Sequence, residues 1–95
     1  MLVDIVYVKP RKKSLLYLKF ENGITGVINL EKMITYEGVF EPLKEWNYFK
    51  LVRVNQELGT VCWPNKVDLD PVVLYKEILN KKEQKVLRQV QGVVG

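Results

Sequence analysis

Residues 58–71, L-G-T-V-C-W-P-N-K-V-D-L-D-P, place the strongest constraint on what this chain can fold into. An apolar run closes on Trp63-Pro64, a short polar turn follows, and Asp70-Pro71 then offers a helix start. Asp is a strong N-cap because its side-chain oxygen accepts a backbone N–H that the first helical turn leaves free. Pro suits the next position, where its missing donor is not needed and its φ is already helical. A strand therefore has to give way to a helix inside this stretch. Trp63, Pro64, Asn65, Asp68, Asp70 and Pro71 are expected to form an architectural joint between a sheet and the last helix.

That joint has to serve one small core, since a chain of 95 residues buries about two-thirds of its unfolded surface as one domain. A hydrophobic fraction of 47% with 27% charged residues suits a globule and excludes disorder of the whole chain. There is no histidine, and Cys62 is the only cysteine. Ser-His-Asp and Cys-His nucleophile arrangements are thereby excluded, as are the usual zinc sites. A lone cysteine cannot form an intramolecular disulfide and points to a reducing compartment. No apolar run approaches the roughly 20 residues that span a bilayer. Asp4 interrupts the first apolar stretch with no basic region before it, so a signal peptide is not expected and the cytoplasm is. The net charge of +4 favours anionic partners only weakly.

Residues 2–8 are β-branched and aromatic with one charge, and are expected to form a strand buried on most of both faces. Pro10, which cannot donate to a ladder, and the charges of Lys9, Arg11, Lys12 and Lys13 are expected to end it. Residues 14–20 and 24–30 read as a hairpin joined through Glu21-Asn22-Gly23. A two-residue Asn-Gly turn would pair Phe20 with Thr25 and Leu16 with Asn29, mixing apolar and polar neighbours. A three-residue loop with Gly23 left-handed pairs Phe20 with Ile24 and Leu16 with Ile28, and sets Leu18 opposite Gly26. It gathers Leu16, Leu18, Phe20, Ile24 and Ile28 on one face and leaves Lys19, Thr25 and Asn29 on the other. A slip of one residue reverses every side chain, so the apolar pattern selects the longer loop.

Residues 31–34 can form one helical turn, and Gly38 permits a sharp redirection after it. Val39, Leu43, Trp46 and Phe49 recur at spacings of four and three, which predicts one face of a short helix with Pro42 in its first turn. Residues 51–54 and 60–63 are expected strands, and Leu74, Ile78 and Leu79 give the last helix an apolar face. Residues 80–85 carry no apolar side chain, so the helix is expected to leave the body there. Val86, Leu87 and Val90 resume an apolar stripe beyond that point, and residues 91–95 form a tail. The predicted fold is α+β: a small, mainly antiparallel sheet of about five strands, a short middle helix, and a longer C-terminal helix packed on one face. Residues 1–79 make the single domain, and residues 80–95 make a helical extension and tail.

Several stretches together carry a family resemblance. They are Phe20, Asn22 and Gly23 in the hairpin; Gly38, Val39, Phe40 and Leu43; Phe49; and Gly59, Thr60, Val61, Trp63, Pro64, Asn65, Asp68, Asp70, Pro71, Leu74 and Tyr75. Over residues 2–79 the chain resembles the bacterial domain of unknown function 2442. The resemblance implies a small α+β domain with no established activity, and, separately, no cofactor is expected. It also implies a second small protein encoded alongside, in what looks like a toxin–antitoxin pair. The chain departs from the family pattern at Lys66, where glycine is usual, and at Val67, where alanine is. A ligand contact that needed glycine at position 66 would be lost here.

Each candidate for chemistry also has a structural reading. Asp68 and Asp70 could act as a carboxylate pair, but at a spacing of two their side chains diverge. A helix cap accounts for Asp70 and an Asx-turn for Asp68. Trp63 could offer an aromatic platform, yet an indole beside a helix start is expected to be a core anchor with its N–H on a carbonyl. Asn65 is expected to satisfy turn backbone, and Cys62 to behave as a small hydrophobe. An enzyme using Arg53, Asp68, Asp70 or Tyr75 would need these groups to converge, and neither a nucleophile–base pair nor a phosphate-cradling glycine loop is present. Lys9, Arg11, Lys12 and Lys13, with Lys81, Lys82, Lys85 and Arg88, are candidate contacts to an anionic partner if the two clusters share a surface. Val86, Leu87 and Val90 are candidate contacts to a protein partner. The expected function is a non-catalytic interaction domain binding a second small protein in an antitoxin-like way, or pairing with its own copy. The alternative is a nucleic-acid-binding accessory domain. No membrane role is expected.

Overall fold

The first hairpin forms in the register that its apolar pattern selects. In the structure, a computed structural model that describes the backbone of residues 3–94 and the side chains of residues 3–82, β2 (Leu15–Phe20) pairs antiparallel with β3 (Thr25–Asn29). Leu16 lies opposite Ile28 and Leu18 opposite Gly26, and Gly23 takes φ +89° in the connecting loop. Leu16, Leu18, Phe20 and Ile28 are all fully buried, so one face of this hairpin is the floor of the core.

The first strand, β1 (Ile5–Arg11), pairs antiparallel with β2 and makes it the centre of a three-stranded sheet in the order β1-β2-β3. The expectation that this strand is buried on both faces fails. Val6 is 50% and Tyr7 48% exposed: the register shifts between Ile5 and Tyr7 and leaves Val6 without a partner in a bulge, while Tyr7 lies on the outer face of the sheet, which no described element covers. Pro10 does not end the strand either: it pairs with Leu16, and the ladder runs on to Arg11 opposite Leu15. The Phe20 N–H donates to the Ile24 carbonyl at 2.8 Å, so even-numbered β2 residues make their ladder bonds toward β3 and odd-numbered ones toward β1. By that alternation the nitrogen of Pro10 faces the open edge, where no donor is required.

A 3-10 turn over Leu30–Lys32 follows, as the single turn expected there, with the Asn29 carboxamide accepting from the Glu31 N–H. The short amphipathic helix expected from Val39 to Phe49 is in fact two pieces. A 3-10 stretch, Gly38–Lys44, ends at an extended Glu45, and a single α-helical turn, α1 (Trp46–Phe49), begins after it. The i, i+3 spacing of a 3-10 segment rotates its first residues away from the core face, and Val39 ends up 63% exposed. Leu43 and Phe49 still reach the core.

A two-stranded sheet follows, β4 (Arg53–Asn55) with β5 (Thr60–Cys62), so the five strands divide as three plus two. The N–H of Ile5 donates to the Gly59 carbonyl at 2.8 Å and ties this second sheet to the start of β1. The last element is α2 (Pro71–Val94). Its Leu74 and Ile78 close the core over β3, and Ile78 lies so near Gly26 that a Cβ there would sit 2.6 Å from the Ile78 Cγ2. Leu79 faces outward, at 38% exposure, although its sequence position suggested a core contact. Asn80, Lys81 and Lys82 are exposed. The side chains of Val86, Leu87, Val90, Lys85 and Arg88 lie outside the described residues.

Candidate functional site

The joint between sheet and helix is built as a hairpin of its own. The Trp63 N–H donates to the Val67 carbonyl at 3.0 Å, and the Lys66 N–H returns to the Trp63 carbonyl at 2.9 Å. Beyond this loop the chain runs back along β5, with Asp68 bridged to Cys62 and the Leu69 N–H reaching the Val61 carbonyl. Thr60, buried, donates its hydroxyl to the Leu69 carbonyl and holds the returning segment down. Asp70 then caps α2, its Oδ1 accepting from the Val72 N–H at 2.9 Å, as expected of an N-cap.

The polar groups of the loop are engaged in holding backbone. The Asn65 Oδ1 accepts from the Val67 N–H at 3.2 Å, its Nδ2 donates to the Val39 carbonyl at 3.1 Å, and its own N–H donates to the Tyr48 hydroxyl at 2.8 Å. The Asx-turn expected at Asp68 therefore belongs to Asn65, and Asp68 takes part through its backbone with an exposed side chain. Lys66 adopts φ +69°, the left-handed backbone that favours glycine. That conformation accounts for a glycine preference at this position without any ligand.

Trp63 is a core anchor. It is 1% exposed, its Nε1–H donates to the Phe49 carbonyl at 2.9 Å, and its ring lies 5.9 Å from that of Phe49. Cys62 is a free, buried thiol at the wall of a cleft of about 320 Å³ that Arg53, Lys66 and Asp68 also line. Asp70 and Tyr75 stand elsewhere. Asp70 borders an apolar groove with Leu30, Met33 and Val73. Tyr75 packs edge-on against Phe20 and accepts from Asn22 Nδ2 at 3.0 Å. The four groups that an enzyme reading would need thus do not meet in one cleft.

The basic run from Lys9 to Lys13 is split by the pleat and the turn. Lys9 and Arg11 alternate onto the outer face of β1, opposite Tyr17 and Leu15. Lys12 bends over the Trp46 ring, 5.7 Å from its centroid, and Lys13 sits in the turn at φ +69°. Lys81 approaches the far side of the same sheet, with its Nζ 3.4 Å from the Val27 carbonyl on the β3 edge. The described members of the two clusters therefore sit at opposite edges of the sheet, with β2 between them.

Sequence reasoning missed the surface that the sheet creates instead. Alternation on β1 and β2 puts Tyr7, Lys9, Arg11, Tyr17 and Lys19 together on the outer face. The signal was available: Pro10 marks an edge strand, and an edge strand with one covered face places Tyr7, Lys9 and Arg11 on the uncovered one.

A protein-family model described as "Protein of unknown function (DUF2442)" matches residues 5–80. Comparison with curated proteins and with solved structures finds no match.

Proposed function

The chain belongs to this family of unknown function, and on that premise we propose that it is a non-catalytic interaction domain whose partner is a second small protein, as the antitoxin-like half of a pair. The observation that carries this reading is the length of α2. The helix runs over Pro71–Val94, yet Ile78 is the last side chain that the described body buries on it. Sixteen further residues add about 24 Å of helix at 1.5 Å per residue. In that part the sequence resumes an apolar stripe at Val86, Leu87 and Val90, the spacing with which a helix enters a partner's groove. The polar groups of the joint support the same reading, since Asn65, Thr60, Asp70 and the Trp63 indole each hold backbone in place.

The test is co-expression of the full chain with the product of the adjacent gene, followed by size-exclusion chromatography with light scattering. A heteromeric complex that Val86→Asp with Leu87→Asp abolishes, while the variant keeps the wild-type melting temperature, supports the reading. A homodimer that ignores the second protein, or a monomer with no complex at micromolar concentration, overturns it.

A further inference from the structure

We propose that the outer face of β1 and β2 binds single-stranded nucleic acid, on a surface separate from α2 and independent of the protein-partner reading. On this face Tyr7 lies opposite Lys19 and Lys9 lies opposite Tyr17, so each tyrosine has a lysine across the ladder, with Arg11 following Lys9 on β1. The rings of Tyr7 and Tyr17 stand 6.1 Å apart at 71°, and the Arg11 guanidinium lies 5.6 Å above the Tyr17 ring. Tyr7, Lys9, Arg11 and Lys19 are exposed and Tyr17 is half-buried. No position of the face on any of its three strands carries Asp or Glu, although such residues occur elsewhere in the chain.

Three cations with no carboxylate among them attract a polyanion. The exposed ring of Tyr7 decides which one, because a nucleobase has a π-face to stack on it and the carboxylates of an acidic peptide do not. Single strands fit better than a duplex. Their bases are free to lie on a sheet, whereas a duplex hides its bases in the stack and needs an element that can enter a groove. The face contributes little to the core, which lies on the opposite side of the same strands at Ile5, Leu16, Leu18 and Phe20. Its side chains can therefore be changed with the fold intact.

The test is fluorescence anisotropy of a labelled oligothymidylate titrated with the full chain at several salt concentrations. Saturable binding is expected, with a log–log salt slope near −2, since each of three phosphate contacts to a single strand contributes about −0.7. Lys9→Ala and Lys19→Ala should each flatten the slope by about 0.7. Tyr7→Ala should weaken binding about fivefold or more, and Tyr7→Phe should leave it unchanged. If Tyr7→Ala proves unstable in a thermal melt, the two lysine variants carry the test. The proposal is overturned by the absence of saturable binding at low salt, by affinity and slope that ignore the lysine variants, or by a duplex of the same length binding as tightly. None of these outcomes depends on the co-expression result, which reads a different surface.

Discussion

Asn22 and Asn65 hold the same place in two copies of one loop. Each follows an aromatic residue by two positions, and each accepts on Oδ1 the N–H two residues on, from Ile24 at 3.1 Å and from Val67 at 3.2 Å. In both loops the aromatic residue and the aliphatic one pair through backbone, Phe20 to Ile24 and Trp63 to Val67. The residue after the asparagine is left-handed in each, Gly23 at φ +89° and Lys66 at φ +69°. Each Nδ2 reaches out to fix a neighbouring element, the Tyr75 hydroxyl on α2 in one case and the Val39 carbonyl in the other. A short loop thus both reverses the chain and docks what packs beside it.

The parallel predicts that Lys66 is strained where Gly23 is not. A left-handed backbone costs an L-residue roughly 1–2 kcal/mol, and glycine loses part of that advantage to its freer unfolded state. Lys66→Gly should therefore raise stability by ~0.5–1 kcal/mol, read as a higher urea midpoint at unchanged slope. Gly23→Ala should lower it by ~1 kcal/mol through backbone alone. No atom lies within 4 Å of where its Cβ would stand, so there is no packing clash to confuse the comparison. A Lys66→Gly variant no more stable than the parent would contradict the shared loop geometry.

Asp70 caps α2 through one hydrogen bond, to the Val72 N–H. Asp70→Ala should cost ~1 kcal/mol and Asp70→Asn almost nothing, since asparagine caps as well as aspartate. The pair of variants separates capping from charge. Equal losses in both, by chemical denaturation, would mean that the negative charge matters and the cap does not.

Much of the fold is legible in the residues because local and global preferences agree. The apolar alternation of Leu16, Leu18, Phe20 and Ile28 defines a register that no competing loop satisfies, and Asp70-Pro71 carries both signals of a helix start. The readings that fail are those in which residue type does not reveal environment. Residues 2–8 are apolar enough for a doubly buried strand, yet a bulge between Ile5 and Tyr7 leaves Val6 unpaired and the open outer face leaves Tyr7 in water. The spacing of Val39, Leu43, Trp46 and Phe49 suits an α-helix, but the break at Glu45 changes the periodicity partway. The basic face was hidden for the same reason: Lys9 and Arg11 are adjacent to Lys12 and Lys13 in sequence, and only the pleat groups them with Tyr17 and Lys19.

Trp63 ties the joint to α1, donating from its indole to the Phe49 carbonyl at 2.9 Å. Trp63→Phe keeps an aromatic ring but removes that donor and part of the buried volume. The unpaired carbonyl and the small cavity together should cost ~2–4 kcal/mol, read by denaturant unfolding. A loss under ~0.5 kcal/mol would show that water or a repacked neighbour replaces the indole, and that the joint is less rigid than its geometry implies.

Gly26 sets how closely α2 can approach the sheet. A Cβ at this position would stand 2.6 Å from Ile78 Cγ2 and 2.9 Å from Ile78 Cγ1, distances at which the Ile78 side chain or the helix that carries it has to move. Gly26→Ala should therefore destabilise by ~1–3 kcal/mol, the usual cost of overpacking. Ile78→Ala alone should cost ~2–4 kcal/mol through lost burial. Removing the Ile78 branches also clears the space into which the new methyl would project. In a double-mutant cycle Gly26→Ala should then cost less when Ile78 is already alanine, with a coupling of ~1 kcal/mol or more. Additive effects would mean that the two residues do not touch in solution. In that event the docking of the helix on the sheet would fall to its other contacts, Tyr75 against Phe20 and Asn22 among them, and the close approach at Gly26 would not set it.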